Sequence, residues 1–139
     1  MTKKTKAPQR GSIIKSFDFN LAGPRGHEQR EARPAVVISS KVYNELNGLC
    51  VIAPVTGQKK GYPFEVVIPK NSCSIYGVIL ADQLRTVDWR ERGIVFETDC
   101  VDRETIDTVE DVYGAVISAQ DTDYDCSPCV KPYYAGKER

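Results

Sequence analysis

The sequence predicts a mainly β (α+β) domain: a small, strongly twisted antiparallel β-barrel with a C-terminal α-helix packed against it. Five or six short apolar segments are separated by polar loops and turn residues, as in an antiparallel sheet. Only residues 102–117 place their apolar side chains at helical intervals. Because 41% of the 139 residues are hydrophobic and 27% are charged, the chain can bury one core.

The predicted strands precede this helix. They are residues 11–18, 34–40, 49–54, 64–68 and 76–80, the last of which continues to residue 85. Asn47-Gly48 predicts a tight hairpin between the second and third strands, because this dipeptide favours the turns that join paired strands. Such a hairpin places positions 33 and 56 near one end of the sheet.

The predicted helix begins at recognisable signals. Asp102 can cap its first turn, and Glu104 lies where the helix dipole favours a carboxylate. A turn over residues 87–93 holds the single tryptophan, Trp89.

The chain is predicted to have one folded domain with loose ends. Residues 1–10 are expected to be a disordered basic N-terminus, residues 11–118 the domain, and residues 119–139 a polar tail. The sequence has neither a signal peptide nor an apolar run of the ~20 residues that span a bilayer. We therefore expect a cytoplasmic protein with no membrane association.

The formal net charge is zero, but the charges are unevenly distributed. Residues 1–33 carry eight basic and three acidic side chains, whereas residues 71–125 carry four basic and thirteen acidic ones. A basic first half suits a polyanionic partner, although a lysine-rich tail and an acidic helix account for the same asymmetry. The charge pattern leaves both interpretations open.

Missing motifs exclude several enzyme classes. The chain has no P-loop, no GxGxxG, no GxSxG and no HExxH. Its single histidine, His27, excludes a two-histidine nuclease site. The five cysteines are odd in number and widely spaced, so a disulfide framework is not expected. Cys126 and Cys129 form a lone CxxC pair without the further ligands that zinc requires, and we expect no metal and no cofactor.

Two polar loops carry the candidate functional residues. The first contains Arg25, His27, Glu28, Gln29, Arg30, Glu31 and Arg33, and the second contains Thr56, Gln58, Lys59 and Lys60. A guanidinium fork at Arg33 beside the Thr56 hydroxyl and nearby lysines is suited to binding a phosphate. A solvated arginine beside a strand-end threonine is the simpler alternative.

Three segments of the chain match a known pattern in order and at similar spacing. They are Glu28-Gln29-Arg30-Glu31-Ala32-Arg33-Pro34-Ala35-Val36-Val37, Pro54-Val55-Thr56 with Lys60-Gly61-Tyr62-Pro63-Phe64-Glu65-Val66, and Ala81-Asp82-Gln83-Leu84-Arg85 with Trp89-Arg90-Glu91-Arg92-Gly93. Together these segments resemble the MazF/PemK toxins of prokaryotic toxin–antitoxin systems. The resemblance implies an SH3-like barrel of the CcdB/PemK kind.

The resemblance also implies an activity and partners. It implies a homodimeric, metal-independent endoribonuclease that cleaves single-stranded messenger RNA, leaving 2′,3′-cyclic phosphate and 5′-hydroxyl ends and inhibiting translation. A cognate MazE-like antitoxin with an acidic, flexible segment would compete for the RNA groove. The matching catalytic positions are Arg33, Thr56 and Glu28. The matching substrate-binding positions are Arg25, Gln29, Gly57, Gln58, Lys59 and Gln83.

The chemistry assigns distinct tasks to these residues. Arg33 can neutralise the phosphorane formed by 2′-hydroxyl attack, but it is a poor base because its pKa exceeds ~12. Thr56 can orient the phosphate or the 2′-hydroxyl for in-line attack. Glu28 is then the candidate base, whereas water, His27 and Arg33 remain open as the acid.

Aromatic residues give two further expectations. Phe17, Phe19 and Tyr62 are candidates for stacking unpaired bases, or for the core. A monomeric barrel is expected to expose the Trp89 turn and strand edges, which favours a homodimer.

Two alternatives stay open. Ala32 stands where many relatives have a histidine, so a non-catalytic member that binds RNA or antitoxin is one of them. The other is a gyrase-binding toxin of the CcdB kind, which needs an apolar, tryptophan-containing C-terminus, whereas this chain ends Ala-Gly-Lys-Glu-Arg.

Overall fold

The computed structural model describes residues 6–19 and 32–118, which form six strands and two helices. These elements are β1 (Ile13–Asp18), β2 (Ala32–Val37), α1 (Lys41–Asn47), β3 (Leu49–Thr56), β4 (Glu65–Val67), β5 (Val78–Leu80), β6 (Arg85–Asp88) and α2 (Arg103–Ser118). All strand pairs are antiparallel. The predicted mainly β fold with a C-terminal helix is confirmed.

The eight-residue strand β3 organises the sheet. The strand order is β1-β2-β3-β5-β4, and β6 also pairs with β3. Residues 49–52 of β3 pair with β6, whereas Val55 and Thr56 pair with β5. Pro54 lies between these two pairings, where a residue without an N–H is tolerated because the ladder is interrupted.

Successive side chains along the strands belong alternately to two apolar clusters, one on each face of the sheet. On β2, Val36 belongs to the first cluster and Val37 to the second. Ile106 and Val109 of α2 close the first cluster. The second cluster contains Phe17, Phe19, Ile52, Val87 and Trp89, among others. Burial on both faces explains why these strands are apolar runs rather than strict alternations.

A bulge in β1 sets which way Arg33 points. Ile14 pairs with Ala35 and Phe17 pairs with Arg33, so the register shifts between the two pairs, opposite Pro34. The extra residue keeps Phe17 on the same face as Ile14. Because directly paired residues project to one face, Arg33 projects to the face of the second cluster.

The hairpin predicted at Asn47-Gly48 is wrong, because these residues end helix α1. The Ser40 hydroxyl accepts a hydrogen bond from the Tyr43 N–H at the start of α1, and Gly48 ends it with φ +69° and an N–H donated to the Asn44 carbonyl. A glycine in the left-handed conformation can end a helix as well as form a hairpin turn. The Asn-Gly dipeptide alone therefore does not distinguish a helix end from a hairpin. The predicted pairing of the flanking strands is nevertheless present, with Ala35 opposite Pro54.

The Trp89 side chain is buried, although residues 90–93 of its turn are exposed as expected. Only 1% of its surface is exposed, and its indole Nε1 donates a 3.0 Å hydrogen bond to the Asn44 carbonyl. Residues 85–88 form β6, so the turn begins at Trp89. The Trp89 side chain itself therefore adds no exposed apolar surface for a homodimer interface, whereas its turn does remain exposed.

The N-terminal end of the described chain packs more closely than the sequence suggests. Pro8 is buried and its carbonyl accepts a 2.8 Å hydrogen bond from Asn44 Nδ2. Arg10 forms ion pairs with Asp107, at 2.7 Å, and with Glu110. Residues 7–10 thus belong to the folded unit rather than to the disordered N-terminus expected over residues 1–10.

Helix α2 begins as predicted, since the Asp102 carboxylate accepts hydrogen bonds from the Thr105 N–H at 3.1 Å and the Thr105 hydroxyl at 2.6 Å. Neither helix in the described part of the chain is long and apolar enough to cross a membrane. The predicted tail over residues 119–139, with Cys126 and Cys129, lies outside the described residues.

Candidate active site

Arg33 and Thr56 meet at one end of the sheet. Arg33 Nη1 donates a 3.1 Å hydrogen bond to Thr56 Oγ1. The antiparallel register explains the contact. Ala35 of β2 pairs with Pro54 of β3. Arg33 lies two residues before Ala35 and Thr56 two residues after Pro54, so Arg33 and Thr56 occupy the next opposite positions on the same face. Thr56 is only 8% exposed and Arg33 is half-buried. The predicted proximity is therefore present, although α1 rather than a tight turn connects the strands.

The Thr56 hydroxyl has a defined orientation. Its oxygen accepts hydrogen bonds from Arg33 Nη1 and, at 3.2 Å, from the Gln58 N–H. These contacts use both acceptor lone pairs of the hydroxyl, so its hydrogen is the group left to bind a ligand. Thr56 thus presents an O–H donor beside a guanidinium, which is the arrangement an oxyanion requires.

The backbone beneath Thr56 is fixed by Gly77. This glycine has φ +116°, and a Cβ built on it would lie 2.2 Å from the Thr56 carbonyl oxygen. Real Cβ atoms do not approach a carbonyl so closely, so only glycine fits without a shift of β3 or β5. Gly77 was not among the residues singled out from the sequence, and glycine before a short strand is a weak signal for such a contact.

The loop after Thr56 is organised by Glu65. Its carboxylate accepts hydrogen bonds from the Lys60 N–H at 3.1 Å and from the Gly61 N–H at 2.8 Å. Gly57, Gln58 and Lys59, predicted as substrate-binding residues, are all exposed on this loop. The loop therefore presents cationic side chains to solvent while its backbone is held by one carboxylate.

The remaining predicted site residues fall into two groups. Gln83 is half-buried in the turn between β5 and β6, and since both strands pair with β3, it lies beside the middle of that strand. Arg25, Glu28 and Gln29 lie outside the described residues, as does His27. Their assignments stay predictions.

Two arginines that the sequence did not single out lie over the aromatic pair Phe17–Phe19. The two rings meet edge to face with centroids 4.8 Å apart. The Arg92 guanidinium lies 5.3 Å from the Phe17 centroid, and that of Arg85 lies 5.4 Å from the Phe19 centroid. Both rings are buried, so the suggestion that they stack RNA bases is wrong, whereas Tyr62 is exposed.

Arg85 adds a second arginine to the face of the sheet that carries Arg33. Arg85 pairs with Ile52, which belongs to the same cluster as Phe17, so Arg85 and Arg33 project to one face of the sheet. The signal that could have found Arg85 is an arginine two residues before the apolar Val87, within the third segment of the sequence pattern. Arg33, Arg85 and Arg92 together surround the Phe17–Phe19 pair with positive charge.

The buried thiol of Cys50 is not a candidate nucleophile. Burial raises the pKa of Cys50 to about 12, so its thiol stays protonated at neutral pH. Within residues 6–19 and 32–118, no three His, Cys, Asp or Glu side chains cluster closely enough to hold a metal ion.

The chain resembles known proteins over most of its length. Residues 9–117 match the family described as PemK-like, MazF-like toxin of type II toxin–antitoxin system. The endoribonuclease toxin MazF of Escherichia coli K12 is 49% identical over 86 residues, which are 62% of this chain and 73% of the relative. The endoribonuclease toxin ChpB of the same strain is 33% identical over 96 residues, 66% of this chain and 78% of the relative.

Solved structures agree with the sequence comparison. Crystalline MazF from Deinococcus radiodurans superposes with a TM-score of 0.68 at 35% identity, covering 80% of this chain and 96% of that one. A MazE–MazF crystal structure from the same organism gives 0.63 at 31% identity, covering 81% of this chain and 96% of that one. The chain therefore belongs to the PemK-like, MazF-like toxin family of type II toxin–antitoxin systems, and it is a MazF-like endoribonuclease toxin.

Proposed function

We propose that this toxin cleaves single-stranded RNA, chiefly messenger RNA, at a site built on Arg33 and Thr56, and so inhibits translation and growth. The observation that carries the proposal is the hydrogen bond between Arg33 Nη1 and Thr56 Oγ1 at the end of β3. A guanidinium and a hydroxyl held together at a sheet end form a site for one phosphodiester.

The reaction begins with the ribose 2′-hydroxyl as nucleophile. Its oxygen bonds to the adjacent phosphorus and the bond from phosphorus to the 5′-oxygen breaks. The leaving 5′-oxygen takes up a proton, for which water, His27 and Arg33 are the candidate donors, and the products carry a 2′,3′-cyclic phosphate and a 5′-hydroxyl. Arg33 donates charge-assisted hydrogen bonds to the equatorial oxygens as negative charge develops. The Thr56 O–H donates to the phosphate or to the 2′-oxygen and holds the attack in line. No metal is needed in this scheme, because Arg33 supplies the positive charge.

We assign the base to Glu28, which removes the proton of the 2′-hydroxyl. A carboxylate suits this task because it is ionised at neutral pH and arginine is not a base there. Arg25 and Gln29, close to Glu28 in the sequence, together with Gln58, Gln83 and the backbone at Gly57, are assigned to binding the RNA strand.

The RNA backbone follows positive charge across the face that carries Arg33. Arg85 and Arg92 lie over the Phe19 and Phe17 rings, and Lys59 and Lys60 are exposed on the loop that follows Thr56. Neutralising several phosphates in a row makes binding strongly salt-dependent.

Two protein partners belong to the proposal. MazF from Deinococcus radiodurans has been crystallised together with MazE. We infer that a MazE-like antitoxin with an acidic, flexible segment binds this chain over Arg33, Arg85 and Arg92 and blocks RNA.

We further infer that the toxin is a cytoplasmic homodimer. Light scattering should give twice the 15.5 kDa mass of one chain, and a stable mass of 15.5 kDa at micromolar concentration would refute the dimer.

The activity is tested with purified protein, a long RNA and excess EDTA. We expect cleavage at a restricted set of sites, with 5′ ends that accept a labelled phosphate without prior phosphatase treatment. Arg33→Ala and Thr56→Ala, purified in parallel, exclude a contaminating ribonuclease. Products with 5′-phosphate ends, or cleavage abolished by EDTA, would contradict the proposed chemistry.

A further inference from the structure

We propose that Tyr76 is a stacking platform for a nucleobase next to the scissile phosphate and thereby helps to choose the RNA sequence that is cut. The proposal rests on the function proposed above, because it places a base of the RNA substrate at this side chain. Neither the sequence pattern nor the candidate residues drawn from it include Tyr76.

The position of Tyr76 follows from the pairing of β3 with β5. Thr56 pairs with Val78, so the segment that enters β5 passes beside the end of β3. The Tyr76 ring lies against Gly57: a Cβ built on that glycine would lie 3.4 Å from Tyr76 Cε2. Gly57 directly follows Thr56, so the ring lies one residue away from the hydroxyl of the proposed active site.

The Tyr76 ring lies beside Gly57 and stays open to solvent. Its side chain is 78% exposed, although its neighbour Ile75 is buried in the first cluster. Gly57 covers one part of the ring, and the rest faces solvent. A flat, exposed phenol that is anchored by its backbone costs little entropy to immobilise, because it has two side-chain torsions.

The surroundings of the ring suit a single-stranded nucleic acid rather than an apolar partner. Lys59 and Lys60 lie on the same loop as Gly57, and the Glu65 carboxylate holds that loop through its backbone. Cations that bind phosphates beside an aromatic ring that binds a base are the combination used to hold single strands. A base stacked on Tyr76 would fix the strand on one side of the phosphate held by Arg33 and Thr56.

The test begins with mapping of a cleavage site in a long RNA. A short oligonucleotide containing that site is then prepared intact and as a series with one abasic position on either side of the scissile phosphate. KM and kcat are measured for Tyr76→Ala, Tyr76→Phe and the wild type. Binding is measured separately with an oligonucleotide that carries a 2′-deoxy nucleotide at the site, which cannot be cleaved.

We expect Tyr76→Ala to raise KM and weaken binding about tenfold or more, with kcat little changed, since stacking acts before and during the reaction alike. Tyr76→Phe keeps the ring and should behave as the wild type. One abasic substrate should be bound equally by the wild type and Tyr76→Ala, because the stacked base is already absent. Tyr43→Ala is the matched control: Tyr43 lies on α1, at the far end of β3, roughly 20 Å from Thr56 at ~3.3 Å per residue.

The proposal is overturned if Tyr76→Ala binds and cleaves the intact RNA as the wild type does. It is also overturned if the variant is weakened by the same factor on every abasic substrate, since no single base then depends on the ring. Failure of the wild type to cleave any RNA would instead refute the proposed function, so the two failures are distinguishable.

Discussion

Gly77 and Thr56 touch through their backbones, so closely that a Cβ at position 77 would lie 2.2 Å from the Thr56 carbonyl oxygen and 2.9 Å from its carbonyl carbon. The contact fixes the end of β3, and the side chain that projects from this end is the hydroxyl bonded to Arg33. The geometry of the site therefore depends on a glycine in the neighbouring strand segment as much as on the two polar residues.

Substituting Gly77 with alanine should impair cleavage by moving Thr56. We expect Gly77→Ala to lower kcat at least about tenfold, because small displacements of a positioned group are costly in rate. Gly93→Ala is the control, since Gly93 also has positive φ, +59°, but nothing lies within 4 Å of its built Cβ. RNA cleavage and thermal unfolding are measured for both. Equal cleavage by the two variants would show that the contact at Thr56 does not matter.

The buried Asn44 should be a larger source of stability than its position on a short helix suggests. Its Nδ2 donates to the Pro8 and Ser39 carbonyls, its Oδ1 accepts from the Ser39 hydroxyl, and its carbonyl accepts from Trp89. Asn44→Ala leaves buried groups unpaired, and we expect a loss of about 2–4 kcal/mol in the free energy of unfolding.

The exposed Asn47 on the same helix provides the comparison for Asn44. Asn47 Nδ2 donates to the Tyr43 carbonyl in solvent, so Asn47→Ala should cost less than about 1 kcal/mol. Urea unfolding of both variants measures the difference. A loss at Asn44 no larger than that at Asn47 would contradict the described network.

The sequence predicted most strands and α2 because their signals are local. Apolar runs bounded by turn residues marked β2 and β3, and a helical spacing with Asp102 at its start marked α2. Helix α1 was missed because its seven residues are polar or exposed at most positions and its Asn47-Gly48 end also fits a hairpin. The burial of the Trp89 side chain within an otherwise exposed turn also depends on α1, because the Asn44 carbonyl accepts its indole N–H.

The site was predictable only where it follows from strand pairing. Arg33 and Thr56 were placed together because antiparallel register fixes opposite positions, whatever joins the strands. Gly77, Tyr76, Arg85 and Arg92 were not, because their contacts depend on how β5 and β6 share one edge of β3 and on which face a bulge turns each side chain. Contacts of this kind join residues that are distant in the sequence, so no periodic pattern of residues predicts them.

Asp102 should stabilise the protein in a pH-dependent way. Hydrogen bonding from the Thr105 hydroxyl lowers the pKa of its carboxyl below the usual 3.8. Because the folded state favours the carboxylate, this contribution is fully present above about pH 4 and is lost as pH falls through the lowered pKa. We expect Asp102→Ala to cost about 1 kcal/mol at pH 7 and less near pH 3.

The comparison for Asp102 is an exposed carboxylate on the same helix. Asp111→Ala should change the free energy of unfolding by no more than about 0.5 kcal/mol at pH 7. Urea unfolding at both pH values measures these differences. A cost at Asp102 that grows as pH falls would have the wrong sign for this account.

Glu28→Gln should slow cleavage and remove the acidic limb of the pH–rate profile. A base must be deprotonated to act, so in the wild type the rate falls as pH drops through the pKa of that group, whereas glutamine does not titrate. His27→Ala, one residue away, should have a smaller effect. The measurement is kcat between about pH 3.5 and 8, a range that spans the ordinary carboxyl pKa of about 4.3. An acidic limb that persists in Glu28→Gln would assign the base elsewhere.

The most direct test of the central claim is the rate of RNA cleavage in EDTA by Arg33→Ala and Thr56→Ala. Loss of the guanidinium removes the phosphorane contact, and we expect at least about a 100-fold loss in rate, or roughly 3 kcal/mol in the barrier. Thr56→Ala should be severely impaired, whereas Thr56→Ser keeps the hydroxyl and should retain most activity. Wild-type rates for both Arg33→Ala and Thr56→Ala would contradict the account.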